Sequence, residues 1–200
     1  MTDTSSPPAL RRPWLTIALL AGALLAFQVL LTRVCALRLH FHFGFLIISN
    51  SLLGIGASGS LLALLDRRWR RDPQAWIAAF ALIFVVSLPV SWAYVLEAKI
   101  PEDLKFVVDG VVRWSEILQF TAFNLACAVP FFFGGTAIGL LLSAHAARVH
   151  SVYAADLIGA GIGCLLCPIL LWPVGAGGCF AATVALALLA AISAWPAARP

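Results

Sequence analysis

Residues 153–171 read YAADLIGAGIGCLLCPILL, which sets one acid, Asp156, inside a glycine-laced apolar run. Ionisable side chains in such runs are costly, tend to face a bundle interior, and are candidates for proton, cation or ligand handling. The competing reading is an acid near a helix end that locks the bundle together. With the run entering at about Val152, Asp156 lies roughly 6 Å inside, so it is no midplane charge. It is expected to face the bundle and accept hydrogen bonds from Ser58, Ser60 or Ser143. Arg148 or the arginines of 66–72 would give electrostatic support.

A second polar group is Gln28, Asn50 and Asn124. At 1.5 Å per residue they fall at one depth, roughly 10 Å from the outer ends of their spans. Thr32, Ser49, Ser51 and Thr121 are close in sequence, so a polar layer is expected. Interhelical hydrogen bonds, worth about 0.6–2 kcal/mol each, are its structural use; a pocket for a small polar ligand is its functional one. Arg33, Arg38, His40 and His42 crowd the end of the first span. His-x-His can bind metal or sense pH, but no partner cluster of Cys, Asp or Glu stands close in sequence, which favours snorkelling to lipid headgroups.

Cys164 and Cys167 form C-x-x-C among Leu, Ile and Pro. One pair offers too few metal ligands and no polar site for a thiolate, so packing is expected and no metal or cofactor is assigned. GIGASG at 54–59 matches G-x-G-x-x-G letter for letter, but a dinucleotide loop needs a strand before it and a helix after it. Here Gly54, Gly56 and Gly59 read as small residues that let a neighbouring helix approach. Gly134 and Gly135 read the same way, and Gly159 with Gly163 forms a small-xxx-small pair.

These residues need helices to hold them. Of 200 residues, 62% are hydrophobic and 11% charged, with mean hydropathy +0.98, far from soluble composition. Six runs approach the 20 or so apolar residues a span requires: Trp14–Ala36, Gly44–Leu65, Ala75–Leu96, Ile117–Ser143, Val152–Pro173 and Gly178–Trp195. The fold expected is all-α, a polytopic membrane bundle of about six transmembrane helices over 14–195. Residues 1–13 are expected to be a disordered cytoplasmic N-terminus, and 196–200 a cytoplasmic end or junction. In the outer segment 97–116, Leu104, Phe106, Val107 and Val108 suggest a short amphipathic helix on the membrane surface.

Orientation follows from the basic residues. With both termini inside, the inner flanks receive Arg11, Arg12, Arg67, Arg68, Arg70, Arg71, Arg148 and Arg199. The outer flanks receive Arg33, Arg38, Lys99, Lys105 and Arg113. The net charge of +4 then reflects topology, and no nucleic-acid partner is expected. The five cysteines lie in or beside apolar runs, as buried thiols without a disulfide framework.

Three stretches, FQVLLTRVCALRLHFHFGFLIISNSLLGIGASGSLLAL, VPFFFGGTAIGLLLS and VYAADLIGAGIGCLLCPILL, together resemble the N-terminal membrane domain of spermidine synthase-like integral membrane proteins. Tyr153, Asp156, Gly159 and Arg33 carry the match, and Gln28 departs from it where the family tends to have an acid. The resemblance implies a bundle in a bacterial inner membrane that anchors or partners a cytoplasmic domain resembling polyamine aminopropyltransferases. Such domains transfer an aminopropyl group from decarboxylated S-adenosylmethionine to a diamine. These 200 residues show neither a nucleoside loop on a strand nor acids to hold a polyamine. By itself the chain is therefore not expected to catalyse that transfer. Two other functions stay open: export or transport of a small polar or cationic solute such as a polyamine, and a structural assembly subunit, including a homo-oligomer.

Overall fold

The computed structural model describes residues 13–38, 41–64, 72–98, 107–108 and 111–195. Almost all of them are helical. In a bilayer every backbone N–H and C=O must be satisfied within the segment, which leaves helices as the solution for runs this apolar. Five helices are long and apolar enough to cross a membrane: α1 (Pro13–Arg38), α2 (Phe41–Leu64), α3 (Pro73–Glu97), α4 (Trp114–Ala144) and α5 (Val149–Ala194). A 3-10 turn at Ala146–Arg148 links the last two.

Local chemistry sets several of the ends. Pro73 takes the first position of α3, where its missing N–H costs nothing, and Asp72 caps that helix by accepting from the Ala75 N–H at 3.2 Å. Arg38 ends α1, where a cation suits the negative pole of the helix, and its guanidinium donates to the Leu96 carbonyl at 2.9 Å. The C-terminal ends of α1 and α3 are thus joined.

The expected count of about six comes down to α5. Residues 149–194 run as one helical stretch broken at Gly175, whose φ of 67° and ψ of −177° lie in a region open essentially to glycine. Beyond the break the chain returns along α1. Gly159 and Gly163 in the first arm meet Ala18 and Gly22, so this arm runs parallel to α1. In the second arm Phe180 lies 6.4 Å from Phe27, and Ser193 Oγ donates to Thr16 Oγ1 at 3.0 Å, so that arm runs antiparallel.

α1 forms the axis of the bundle. In its most apolar stretch 61% of residues are buried, against 17% for α5. Phe27 packs on Phe131 of α4 at 6.0 Å, and Leu24 fills the space beside Gly134. α2 lies parallel to α4, with Asn50 opposite Asn124, Gly54 opposite Ala128 and Ser58 opposite Gly135. Phe80 of α3 stacks on Phe133 of α4 at 6.2 Å. The result is a filled bundle built around its first helix.

The expected surface helix does not form at Val107 and Val108. These residues pair antiparallel with Val111 and Val112, Val107 opposite Val112 and Val108 opposite Val111. β-branched valines favour the pleated conformation, and Asp-Gly between two valine pairs is a hairpin signal stronger than the apolar spacing. Leu104 and Phe106 lie outside the described residues. So do the arginines of 66–71, the His40 position, the terminal segments 1–12 and 196–200, and the side chain of His42.

Candidate functional site

The polar layer is half assembled. Asn50 is buried, and its Nδ2 donates to Asn124 Oδ1 at 2.9 Å across the α2/α4 contact. Asn124 Nδ2 in turn donates to the Phe120 carbonyl at 2.7 Å, which fixes the orientation of the amide. Gln28 does not join them through any hydrogen bond among the described residues. Its turn of α1 is marked instead by Thr32, whose hydroxyl donates to the Gln28 carbonyl at 2.8 Å. Ser49, Ser51 and Thr121 likewise donate to carbonyls of their own helices. A hydroxyl one turn past a carbonyl satisfies itself locally, so these hydroxyls offer no free proton to a ligand.

The surroundings of Asp156 differ from expectation for the same reason. Ser58 donates to Ile55, Ser60 to Gly56 and Ser143 to Leu140, each within its own helix. None of the three reaches Asp156. The acid lies on the stripe of α5 that runs through Val152, Gly159 and Gly163, which is the face against α1, and it is half-buried. With Gly159 level with Ala18 in a parallel pair, Asp156 stands level with the first turn of α1. Among the described residues it has no ion pair and no hydrogen bond. Arg148, the described cation of the expected support, is exposed. Tyr153 is 51% exposed and points away from the packed stripe.

At the other end of α1, Arg33 is exposed and Arg38 holds α3. Arg38 is a tethering residue that sequence reasoning placed only at the headgroups. An arginine in the last turn, one short connection from the next helix, was the available signal. Glu116, which the sequence did not single out, pairs with Arg113 at 2.6 Å across the first turn of α4.

The glycines separate into two groups. A Cβ at Gly159 would fall on the backbone of Ala18, and one at Gly163 on the backbone of Gly22. At Gly54 it would lie 2.6 Å from the Ala128 carbonyl oxygen, and at Gly135 2.8 Å from Ser58 Oγ. At Gly134 it would meet Leu24 Cδ1 at 2.5 Å. At Gly54, Gly159 and Gly163 the obstacle is backbone and only hydrogen fits, whereas at Gly134 and Gly135 a side chain stands in the way. Gly56 and Gly59 correct the expectation, because nothing stands within 4 Å of a Cβ at either. They point out of the bundle, on the opposite side of α2 from Gly54, since a helix turns about 100° per residue.

Among the described residues no group of three or more His, Cys, Asp or Glu is placed to hold a metal ion. Cys164 is half-buried, while Cys35, Cys127, Cys167 and Cys179 are buried. No family model, no curated protein and no solved structure matches the chain.

Proposed function

We propose that this chain is a rigid membrane module that anchors or partners a cytoplasmic aminopropyltransferase-like domain, as in the spermidine synthase-like membrane proteins it resembles. One observation carries the reading. The axis of the bundle is occupied by α1, locked backbone to backbone against α5 at Gly159 and Gly163, with large aromatic side chains closing the other sides. A bundle filled by its own central helix suits a fixed platform. A carrier that must open alternately to each side needs halves that rock about a site between them.

In this proposal the two arms of α5 both cross, giving six passages joined by five turns. The Ser193–Thr16 bond brings the Ala194 end of α5 beside the Pro13 end of α1. Both ends then leave on one face, together with the Ala146–Arg148 turn and the Leu64 and Pro73 ends of α2 and α3, which the arginine-rich sequence 66–71 connects along the chain. The positive-inside rule makes that face cytoplasmic. Asp156, near the same face, acts as a docking acid for the partner.

The test is reconstitution of the full chain in liposomes, with two readouts. The anchoring reading expects a soluble aminopropyltransferase-like domain supplied in trans to be retained on chain-bearing vesicles and washed from empty ones. It also expects labelled putrescine and spermidine to enter no faster than into empty vesicles. Uptake that disappears in Asp156→Asn would overturn it in favour of transport. Failure of every supplied domain to bind, with no uptake either, would leave the structural-subunit reading in its place.

A further inference from the structure

Arg33 continues the line of α1 on which the first arm of α5 packs. Ala18, Gly22, Val29 and Arg33 are spaced by four, seven and four residues, which keeps them on one side of a helix. At Ala18 and Gly22 that side is pressed against Gly159 and Gly163. Val29 packs on the same buried cluster as Leu170 and Leu171. Arg33, the next position on the line, is exposed.

The cover stops because the arm stops. Gly163 faces Gly22, so eleven residues further along both helices Val174 comes level with Arg33. The next residue is Gly175, where the chain turns back. α1 itself runs about 7.5 Å further, to Arg38, which is tied to the Leu96 carbonyl near the end of α3. The α5 turn therefore lies at the foot of a step whose wall is the last turn of α1. That foot is open: nothing stands within 4 Å of a Cβ at Gly175 or Gly177. Trp172 beside it is 95% exposed, and a tryptophan so placed belongs at the headgroup level.

We infer that this step binds one anionic phospholipid, its phosphate held by the Arg33 guanidinium and its acyl chains lying along Ile162, Leu165 and Ile169 of the first arm. These three are exposed and spaced by three and four residues, an apolar track that leads up to Trp172. The class of ligand follows from charge and depth. Among the described residues Arg33 has neither an ion pair nor a hydrogen bond, and the ion pair the chain does form joins Arg113 to Glu116. A charge at the membrane boundary needs an anion, and a guanidinium matches a phosphate with two parallel hydrogen bonds. At headgroup depth the phosphates are those of lipids. A choline headgroup sets its own cation beside the phosphate and competes with the arginine, so an anionic headgroup is preferred. The inference rests on the packing of α5 on α1 in a membrane and is independent of what the module anchors.

The experiment uses the full chain in nanodiscs of equal phosphatidylglycerol and phosphatidylcholine, with a trace of one or the other lipid carrying a photoactivatable diazirine in its headgroup. Labelled peptides are mapped by mass after illumination. Peptides covering 29–37 and 169–178 are expected to take about fivefold more label from the phosphatidylglycerol probe, the attraction of one basic residue at a membrane surface. Arg33→Gln is expected to equalise the two probes there, and Arg33→Lys, which keeps the charge, to retain the preference. Arg113→Gln is expected to leave it unchanged, since that cation is already paired. A large excess of inorganic phosphate is expected not to compete. Equal labelling by the two probes in wild type would overturn the inference, as would a preference that survives Arg33→Gln or is lost equally in Arg113→Gln. Competition by inorganic phosphate would assign the site to a free anion and overturn the lipid. The wild-type ratio needs no variant, and Arg33, being exposed, is replaced without touching the core.

Discussion

Replacing Gly163 by alanine places a methyl group where the backbone of Gly22 already stands. The neighbour is main chain and cannot swing aside, so α5 must move away from α1 along their whole contact or bend locally. Forcing an extra carbon into a packed contact costs about 1–3 kcal/mol. Alanine also gains about 0.8–1 kcal/mol of helix propensity over glycine, which would blur the reading on its own. Gly161 supplies the control. It lies two residues away on the same arm of the same helix, and a Cβ there meets nothing within 4 Å. The propensity gain is common to both variants and cancels between them. The gap between Gly163→Ala and Gly161→Ala is therefore the overpacking cost alone, about 1–3 kcal/mol, with Gly161→Ala the more stable. Reversible SDS titration of the full chain in mixed micelles, followed by far-UV circular dichroism, measures it. Equal midpoints for the two variants would refute the backbone-to-backbone packing of α5 on α1. Gly159→Ala should fall with Gly163→Ala, since its methyl would meet the backbone of Ala18.

Gly175→Ala is expected to cost about 1–3 kcal/mol, because a Cβ is strained at φ 67°, while Gly177→Ala, in open space, should cost nothing; the same titration compares them. Asn50→Leu and Asn124→Leu should each lower stability by about 0.6–2 kcal/mol. In a double-mutant cycle the two should couple, and additive losses would refute the 2.9 Å bond between them. Asp156→Asn should leave stability within about 0.5 kcal/mol of wild type or raise it, since no described cation or hydroxyl engages the carboxylate. A loss of more than 1 kcal/mol, on the scale of a hydrogen bond to a charged group, would reveal a partner and refute that account.

Much of the bundle was legible from composition and pattern. Long apolar runs in lipid admit only one backbone solution, so the sequence predicts helices at Ala75–Leu96 and Ile117–Ser143, and the structure extends them modestly to Pro73–Glu97 and Trp114–Ala144. Asn50 and Asn124 were also legible as a pair at equal depth, because rise per residue converts sequence distance into height. What height cannot supply is azimuth. Gln28 shares the calculated depth yet makes no bond with the asparagines. Ser58, Ser60 and Ser143 lie near the calculated depth of Asp156, yet each donates into its own helix. At Val107–Val108 apolar spacing points to a helix, while valine's β preference and the Asp-Gly between the valine pairs decide for the pairing with Val111–Val112.

The sequence by itself determined the solvent, the helical backbone and the depth of each polar group, because these depend on hydrophobicity and on a fixed rise along the chain. Tertiary structure decided which faces meet. Gly54 and Gly56 are two residues apart and chemically identical, yet one is pressed against α4 and the other looks outward. Cys167 and Cys179 became neighbours only because Gly175 turns the chain back. Rotation of one helix against another is set by the summed packing of both surfaces, and that sum is not written in either run of residues alone.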